Sequence, residues 1–142
     1  MMTNADKVAV SDVSKCGDHW VLQVVDQPVQ QLSFDFSVTL RLANEVVVRI
    51  EGPFVMSDGE AERLINPEGD PRLLAPVLSI ARATMTNCLA FDDGHLELTF
   101  AEGVRVLVPP SENYEPWEFI DSHGMRVVLV PGGELAIWRS SA

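Results

Sequence analysis

Positive charge is scarce in this chain: 10 Lys plus Arg stand against 21 Asp plus Glu over 142 residues, a formal net charge of −11. Binding to DNA, RNA or an anionic membrane needs cations to neutralise phosphates, so the imbalance argues against nucleic acid and membrane as partners. It favours a basic protein partner or plain solubility. Long apolar runs are missing as well. Stretches such as Val127 to Val130 and Val46 to Val48 fall far below the roughly 18 residues that cross a bilayer. The start, Met1 to Lys15, has neither the basic nor the apolar region of a secretory signal, which implies a cytoplasmic protein. We expect residues 1–15 to form a loose N-terminal tail and residues 16–142 a single β-rich domain. Cysteine is almost absent: Cys16 and Cys88 have no C-x-x-C spacing and no matching pair of His, so they read as reduced thiols.

Catalytic signatures are missing too. There is no G-x-S-x-G elbow, neither cysteine has a local basic activator, and Pro131-Gly132-Gly133 joins two strand-like segments rather than a strand and a helix. No catalytic residue and no cofactor is expected. Pairs of nearby metal-ligand types do occur, His19 with Asp18, His95 with Glu97 and His123 with Asp121. Each offers two ligands where a site needs three or four, so no metal site is assigned.

What the chain has is alternation. Val38, Leu40 and Leu42 alternate with Thr39 and Arg41, Ala43-Asn44-Glu45 interrupts, and Val46, Val48 and Ile50 follow. A period of two marks strands with one buried face, and the interruption makes a hairpin. Leu96, Leu98, Phe100, Ala101-Glu102-Gly103, Val104, Val106 and Val108 repeat the pattern at a spacing of 58, Val38 to Leu96. Upstream, Leu32-Ser33-Phe34-Asp35 is echoed by Leu89-Ala90-Phe91-Asp92 at a spacing of 57, Leu32 to Leu89. We read an internal pseudo-repeat of three strands, over about 20–54 and again over about 80–110. The interior should take Val38, Leu40, Leu42, Val48, Ile50, Leu96, Leu98, Phe100, Val106 and Val108.

Between the copies, Ser57-Asp58-Gly59-Glu60 has the form of a capping box ahead of Ala61, Leu64 and Ile65, which suggests a short helix. Asp70-Pro71 is a good N-cap pair for a second helix with Leu73, Leu74, Val77, Leu78 and Ala81 on one face, kinked or split by Pro76. The fold class is therefore mainly β (α+β): antiparallel hairpins in a sheet, sandwich or partly open barrel, with one short helical connector around Asp70 to Ala81. The last third reads as a meander of Tyr114 to Ile120, Met125 to Val130 and Leu135 to Trp138, with Trp138 pinning the end to the core.

Tyr114-Glu115-Pro116-Trp117-Glu118, the Pro131 to Trp138 segment P-G-G-E-L-A-I-W and the hairpin at Gly94 to Phe100 resemble a family of small, uncharacterised bacterial proteins, mainly of actinomycetes. That family shares a Y-E-x-W-E segment and a P-G-G-E-L-A-x-W ending. The likeness covers residues 54 to 138, and its style is similar to immunity proteins of toxin systems. It implies no catalytic residue, and His95 is an addition to the pattern.

Tyr114, Glu115, Trp117 and Glu118 are the candidate binding residues. On a strand Glu115 and Trp117 share one face, Tyr114 and Glu118 the other, and Pro116 marks an edge. An exposed patch of this kind offers aromatic anchors rimmed by carboxylates that pair with Lys or Arg. The bland alternative packs Trp117 in the core and leaves the glutamates solvated. The leading functional reading is a non-catalytic acidic protein-interaction module of the immunity type, with a basic protein as partner. Two others stand beside it: a β-rich domain binding a small ligand, and an enzyme of undetected type.

Overall fold

The computed structural model describes residues 13–24, 26–129 and 135–139. Among the described residues, thirteen antiparallel strands and one 3₁₀ helix make up the fold. In chain order the strands are β1 (Val13–Cys16), β2 (His19–Leu22), β3 (Gln27–Phe34), β4 (Val38–Leu42), β5 (Val47–Ile50), β6 (Phe54–Ser57) and β7 (Glu62–Ile65). After the helix (Pro71–Ile80) come β8 (Thr84–Phe91), β9 (Leu96–Phe100), β10 (Arg105–Val108), β11 (Trp117–Ile120), β12 (Met125–Leu129) and β13 (Leu135–Arg139). Of the expected tail, residues 13–15 belong to β1, and residues 1–12 lie outside the described residues.

Parity decides the interior. All ten residues assigned to it from the alternation are at most 1% exposed. They form one cluster with Trp117, Phe119, Phe54 and Met56, from both ends of the sheet. A sheet whose strands all feed one core must fold over on itself, because each strand has only one face to bury. The crease is the junction of β3 and β8, where only Gln27 and Pro28 pair, with Met85 and Thr84.

The strand order β13-β12-β11-β5-β4-β3-β8-β9-β10-β6-β7 carries an internal symmetry. Exchanging β3 with β8, β4 with β9, β5 with β10, β6 with β11 and β7 with β12 reproduces the order from β12 to β7, read backwards. The repeat is thus five strands long, two more than the sequence pattern discloses. Its fourth strands are exchanged: β6 of the first repeat pairs with β10, and β11 of the second pairs with β5. The registers agree: Val48 faces Phe119 as Val106 faces Met56. Turn bonds agree as well. The Leu42 N–H donates to the Val46 carbonyl (2.8 Å) and the Ala43 N–H to the Pro28 carbonyl (3.1 Å). The Phe100 N–H donates to the Val104 carbonyl (2.9 Å) and the Ala101 N–H to the Thr84 carbonyl (2.9 Å).

One expected alignment is corrected. Leu32 pairs with Leu40, and the residue paired with the matching Leu98 is Cys88, not Leu89. The matched pairs Phe34–Val38 and Ala90–Leu96 enclose three and five residues, so the Leu-x-Phe-Asp echo sits one position out of register and its members face opposite sides. Both β3 and β8 carry a bulge at the same place, between Val29 and Gln31 and between Met85 and Asn87.

The helix expected at Ala61 to Ile65 is strand β7. The Asp58 side chain accepts from the N–H groups of Glu60 and Ala61 (both 2.9 Å), the bonding of a cap, but here it closes the β6–β7 hairpin. The connector helix starts as expected, with Asp70 accepting from the Arg72 N–H at 2.9 Å. Pro76 has no N–H to donate, and the segment is 3₁₀ throughout, so its buried face repeats every three residues as Leu74, Val77 and Ile80. Leu73 and Leu78, placed on the buried face by α-helical spacing, are 70% and 58% exposed.

Candidate functional site

The chain crosses from β10 to β11 through residues 109–116, and this crossing presents the candidate segment. β11 is not an edge strand; it lies between β5 and β12, and its regular structure begins only at Trp117. Pro116 sits just ahead of it, buried, with its carbonyl accepting from the N–H groups of Glu51 (2.8 Å) and Gly52 (3.2 Å). Gly52 is required there: a Cβ would come within 2.9 Å of the Pro116 Cβ and 3.0 Å of the Tyr114 hydroxyl.

That start point sets which side chains face solvent. Trp117 points inward, 1% exposed, and its Nε1–H donates to the Gly94 carbonyl at 2.9 Å. It ties β11 to the β8–β9 turn across the fold and is a core residue, not an exposed anchor. Tyr114, 46% exposed, lies in a bend, exposed Glu115 follows it, and Glu118 points outward from the strand. The expected division into two faces therefore gives way to one hollow of about 240 Å³, lined by Glu51, Tyr114, Glu115, Trp117, Glu118 and Val128. Glu118 is held by Arg126 from β12. Glu51 was not signalled by the sequence; it arrives because Ile50 pairs with Trp117, residues far apart in the chain. Chemically the hollow offers the carboxylates of Glu51 and Glu115 and a phenol beside the Glu118–Arg126 ion pair, a setting that suits a Lys or Arg side chain.

The histidine pairs serve local structure. His95 Nδ1 is 2.6 Å from Asp93 Oδ1, its Nε2 is 3.2 Å from Glu97 Oε2, and its ring stacks on Phe91 at 4.1 Å. Burial works against the charge on Asp93, but the hydrogen bonds from His95 outweigh it, and the carboxyl titrates below its ordinary value. His19 Nδ1 lies 3.1 Å from Asp18, whose carboxyl is lowered by that bond, and the His19 ring is tilted against Phe91 at 5.1 Å. Asp121 accepts from the N–H groups of His123 and Met125, closing the β11–β12 turn. Among the described residues, no three His, Cys, Asp or Glu side chains converge to hold a metal ion. Cys88 is buried, and burial pushes its thiol up, away from the thiolate a nucleophile needs. Cys16 is exposed.

Residues 20–139, which hold the paired strands β3–β12 and the acidic hollow, match a known family. The chain belongs to a family of unknown function, DUF6188. The match takes in the first repeat, beyond the span 54–138 over which the sequence resemblance was drawn. No curated protein and no solved structure matches the chain. Among the described residues of this DUF6188 protein, no helix is long and apolar enough to cross a membrane.

Proposed function

We propose that this protein is a non-catalytic acidic interaction module that binds a basic protein partner in the cytoplasm, in the manner of an immunity-type inhibitor. The observation that carries the reading is the hollow beside Tyr114, where Glu51, Glu115 and Glu118 converge around a half-exposed phenol. A net charge of −11 supports it from a distance, since opposite potentials steer a basic surface toward this one. The likeness of the Tyr114–Glu118 and Pro131–Trp138 segments to small actinomycete proteins of that style supports the same class.

In this reading Glu51 and Glu115 receive a Lys or Arg of the partner, Glu118 shares its carboxylate between that cation and Arg126, and Tyr114 packs against the aliphatic stem. Trp117 acts only by holding the hollow's floor. The test compares the wild-type chain with a Glu51→Gln, Glu115→Gln, Glu118→Gln variant as bait in native lysate. Wild type should retain a basic protein at low salt that the variant loses, with association slowing as salt rises. Tyr114→Ala should speed dissociation, at a cost of about 2 kcal/mol. Identical retention by both baits at every salt concentration would overturn the proposal.

A further inference from the structure

The internal symmetry shows what is missing from one edge of the sheet. β12 has β11 on one side and β13 on the other, with Val127 paired to Ile137, Val128 to Ala136 and Arg126 to Trp138. The strand related to β12 by the repeat is β7, in which Glu62, Arg63 and Leu64 take the places of Arg126, Val127 and Val128. Among the described residues β7 pairs with β6 alone. Among those residues, one side of its backbone is therefore an open ladder. The side chains tell the same story: Val128, flanked by β13, is 2% exposed, while Leu64 is 75% exposed.

Leu64 ends an apolar row. On the outer face Leu107 pairs with Val55 and Val55 with Leu64, and a hollow of about 310 Å³ over Leu107 and Val55 is also lined by Ser57, Glu62, Glu97 and Arg105. Glu97 is engaged by Arg105 at 2.8 Å. The Glu62 side chain, one step along from Leu64's row, has no hydrogen-bond or ion-pair partner among the described residues, while its backbone pairs with Ser57. The next strand outward would thus meet an apolar position at Leu64 and an unpaired carboxylate at Glu62.

We propose that the outer edge of β7 is a docking site for an extended segment of a basic partner protein, which adds a strand there as β13 does on β12, setting an apolar side chain beside Leu64 and a Lys or Arg beside Glu62. Main-chain bonds supply affinity and the two alternate side chains supply selectivity. A second copy of this chain fits the edge less well. Symmetric pairing centred on Arg63 sets two guanidinium groups opposite each other, and pairing centred on Leu64 puts Glu62 opposite Asn66; neither gives Glu62 a cation. Two chains of −11 charge also repel. The site is separate from the hollow beside Tyr114, and the inference does not rest on it.

The test titrates the full-length, isotope-labelled chain with a synthetic peptide containing Ile-Val-Thr-Lys, whose antiparallel register sets Val at Leu64 and Lys at Glu62, while backbone amides are followed by NMR. Saturable shifts in β7 and β6 are expected, at least tenfold weaker for the peptide ending in Glu instead of Lys, with the preference inverted in a Glu62→Lys variant. Glu62 is exposed, so that variant keeps the fold. No shift in β7 at millimolar peptide overturns the proposal. So do shifts confined to Glu51, Glu115 and Glu118, which would leave only the acidic hollow as a binding site. Sedimentation of the chain alone completes the test: a concentration-dependent dimer lost on Leu64→Lys would assign the edge to a second copy and overturn the basic partner.

Discussion

Ser33, Thr39, Arg49, Glu118 and Val128 lie side by side across the outer face of one half of the sheet, on β3, β4, β5, β11 and β12. The residues at the matching places in the other half are Leu89, Glu97, Leu107, Val55 and Leu64. The backbones pair in the same registers, yet the first row is polar up to Val128, beside β13, while the second is apolar but for Glu97 and ends, among the described residues, at an unpaired edge. Inward positions of the central hairpins show no such divergence: Val38, Leu40 and Leu42 answer Leu96, Leu98 and Phe100, all at most 1% exposed, whereas at the edge an exposed Arg63 stands in the place of Val127, 2% exposed. Packing constrains the interior of the central hairpins equally in both repeats, whereas the outer face and the edge are free to make different contacts. The additions follow the same division. β2 and β13 flank β8 and β12 of the second repeat, while β3 and β7 of the first carry no such strand among the described residues.

The sharpest way to break the comparison is in the core. Leu40→Ala and Leu98→Ala remove symmetry-related side chains, both 0% exposed, and each should cost about 2–5 kcal/mol in urea unfolding. Both transitions should stay single and cooperative. Two transitions would mean that the halves are separate folding units, and a loss below about 0.5 kcal/mol at either site would mean that the side chain does not face the core.

A smaller effect tests where the repeats part. Trp117 corresponds to Phe54 in the exchange of fourth strands. Trp117→Phe should cost about 1–3 kcal/mol, because the Gly94 carbonyl loses its 2.9 Å donor while the ring volume shrinks only modestly. A neutral result, read by the same denaturant series, would show that solvent replaces the indole without penalty.

The smallest effect has the opposite sign. Glu45, at φ 74°, holds the left-handed position that Gly103 holds at φ 94° in the matching turn. Glu45→Gly should stabilise the chain by up to about 1 kcal/mol in thermal unfolding, since a side chain in that region is strained. Its ion pair with Arg41, at 3.3 Å and solvent-exposed, offsets little. Destabilisation would mean that this pair, not the backbone, holds the first turn.

Alternation over Val38 to Ile50 and over Leu96 to Val108 was enough to place every interior residue it named, because parity is a local property and one face had to be buried. Strand exchange was not legible. That Ile50 meets Trp117 is a matter of long-range register, and nothing near either residue encodes it. Asp58 misled for a chemical reason: a carboxylate accepting two backbone N–H groups has the same sequence form at a helix start and in a hairpin turn. At the candidate site, Tyr114, Glu115 and Glu118 were readable as a polar and aromatic segment, but Trp117 was not readable as core, since β11 is central only by virtue of strands from elsewhere. Trp138 has its backbone in β13, opposite Arg126; its side chain and Pro131 to Glu134 fall outside the described residues.

The exchanged fourth strands also set the order in which the chain can fold. Hairpins β3–β4, β4–β5, β8–β9 and β9–β10 close over short loops and form from neighbouring residues. The seams β5–β11 and β10–β6 cannot close until the opposite repeat has been made, because each joins residues from the two ends of the chain's middle. Chain-closure entropy is therefore met late and all at once, which predicts slow, highly cooperative folding, in the range of milliseconds to seconds typical of non-local β topologies. During synthesis the first repeat leaves the ribosome with β5 bare along one side, waiting for a strand that lies beyond the 3₁₀ connector.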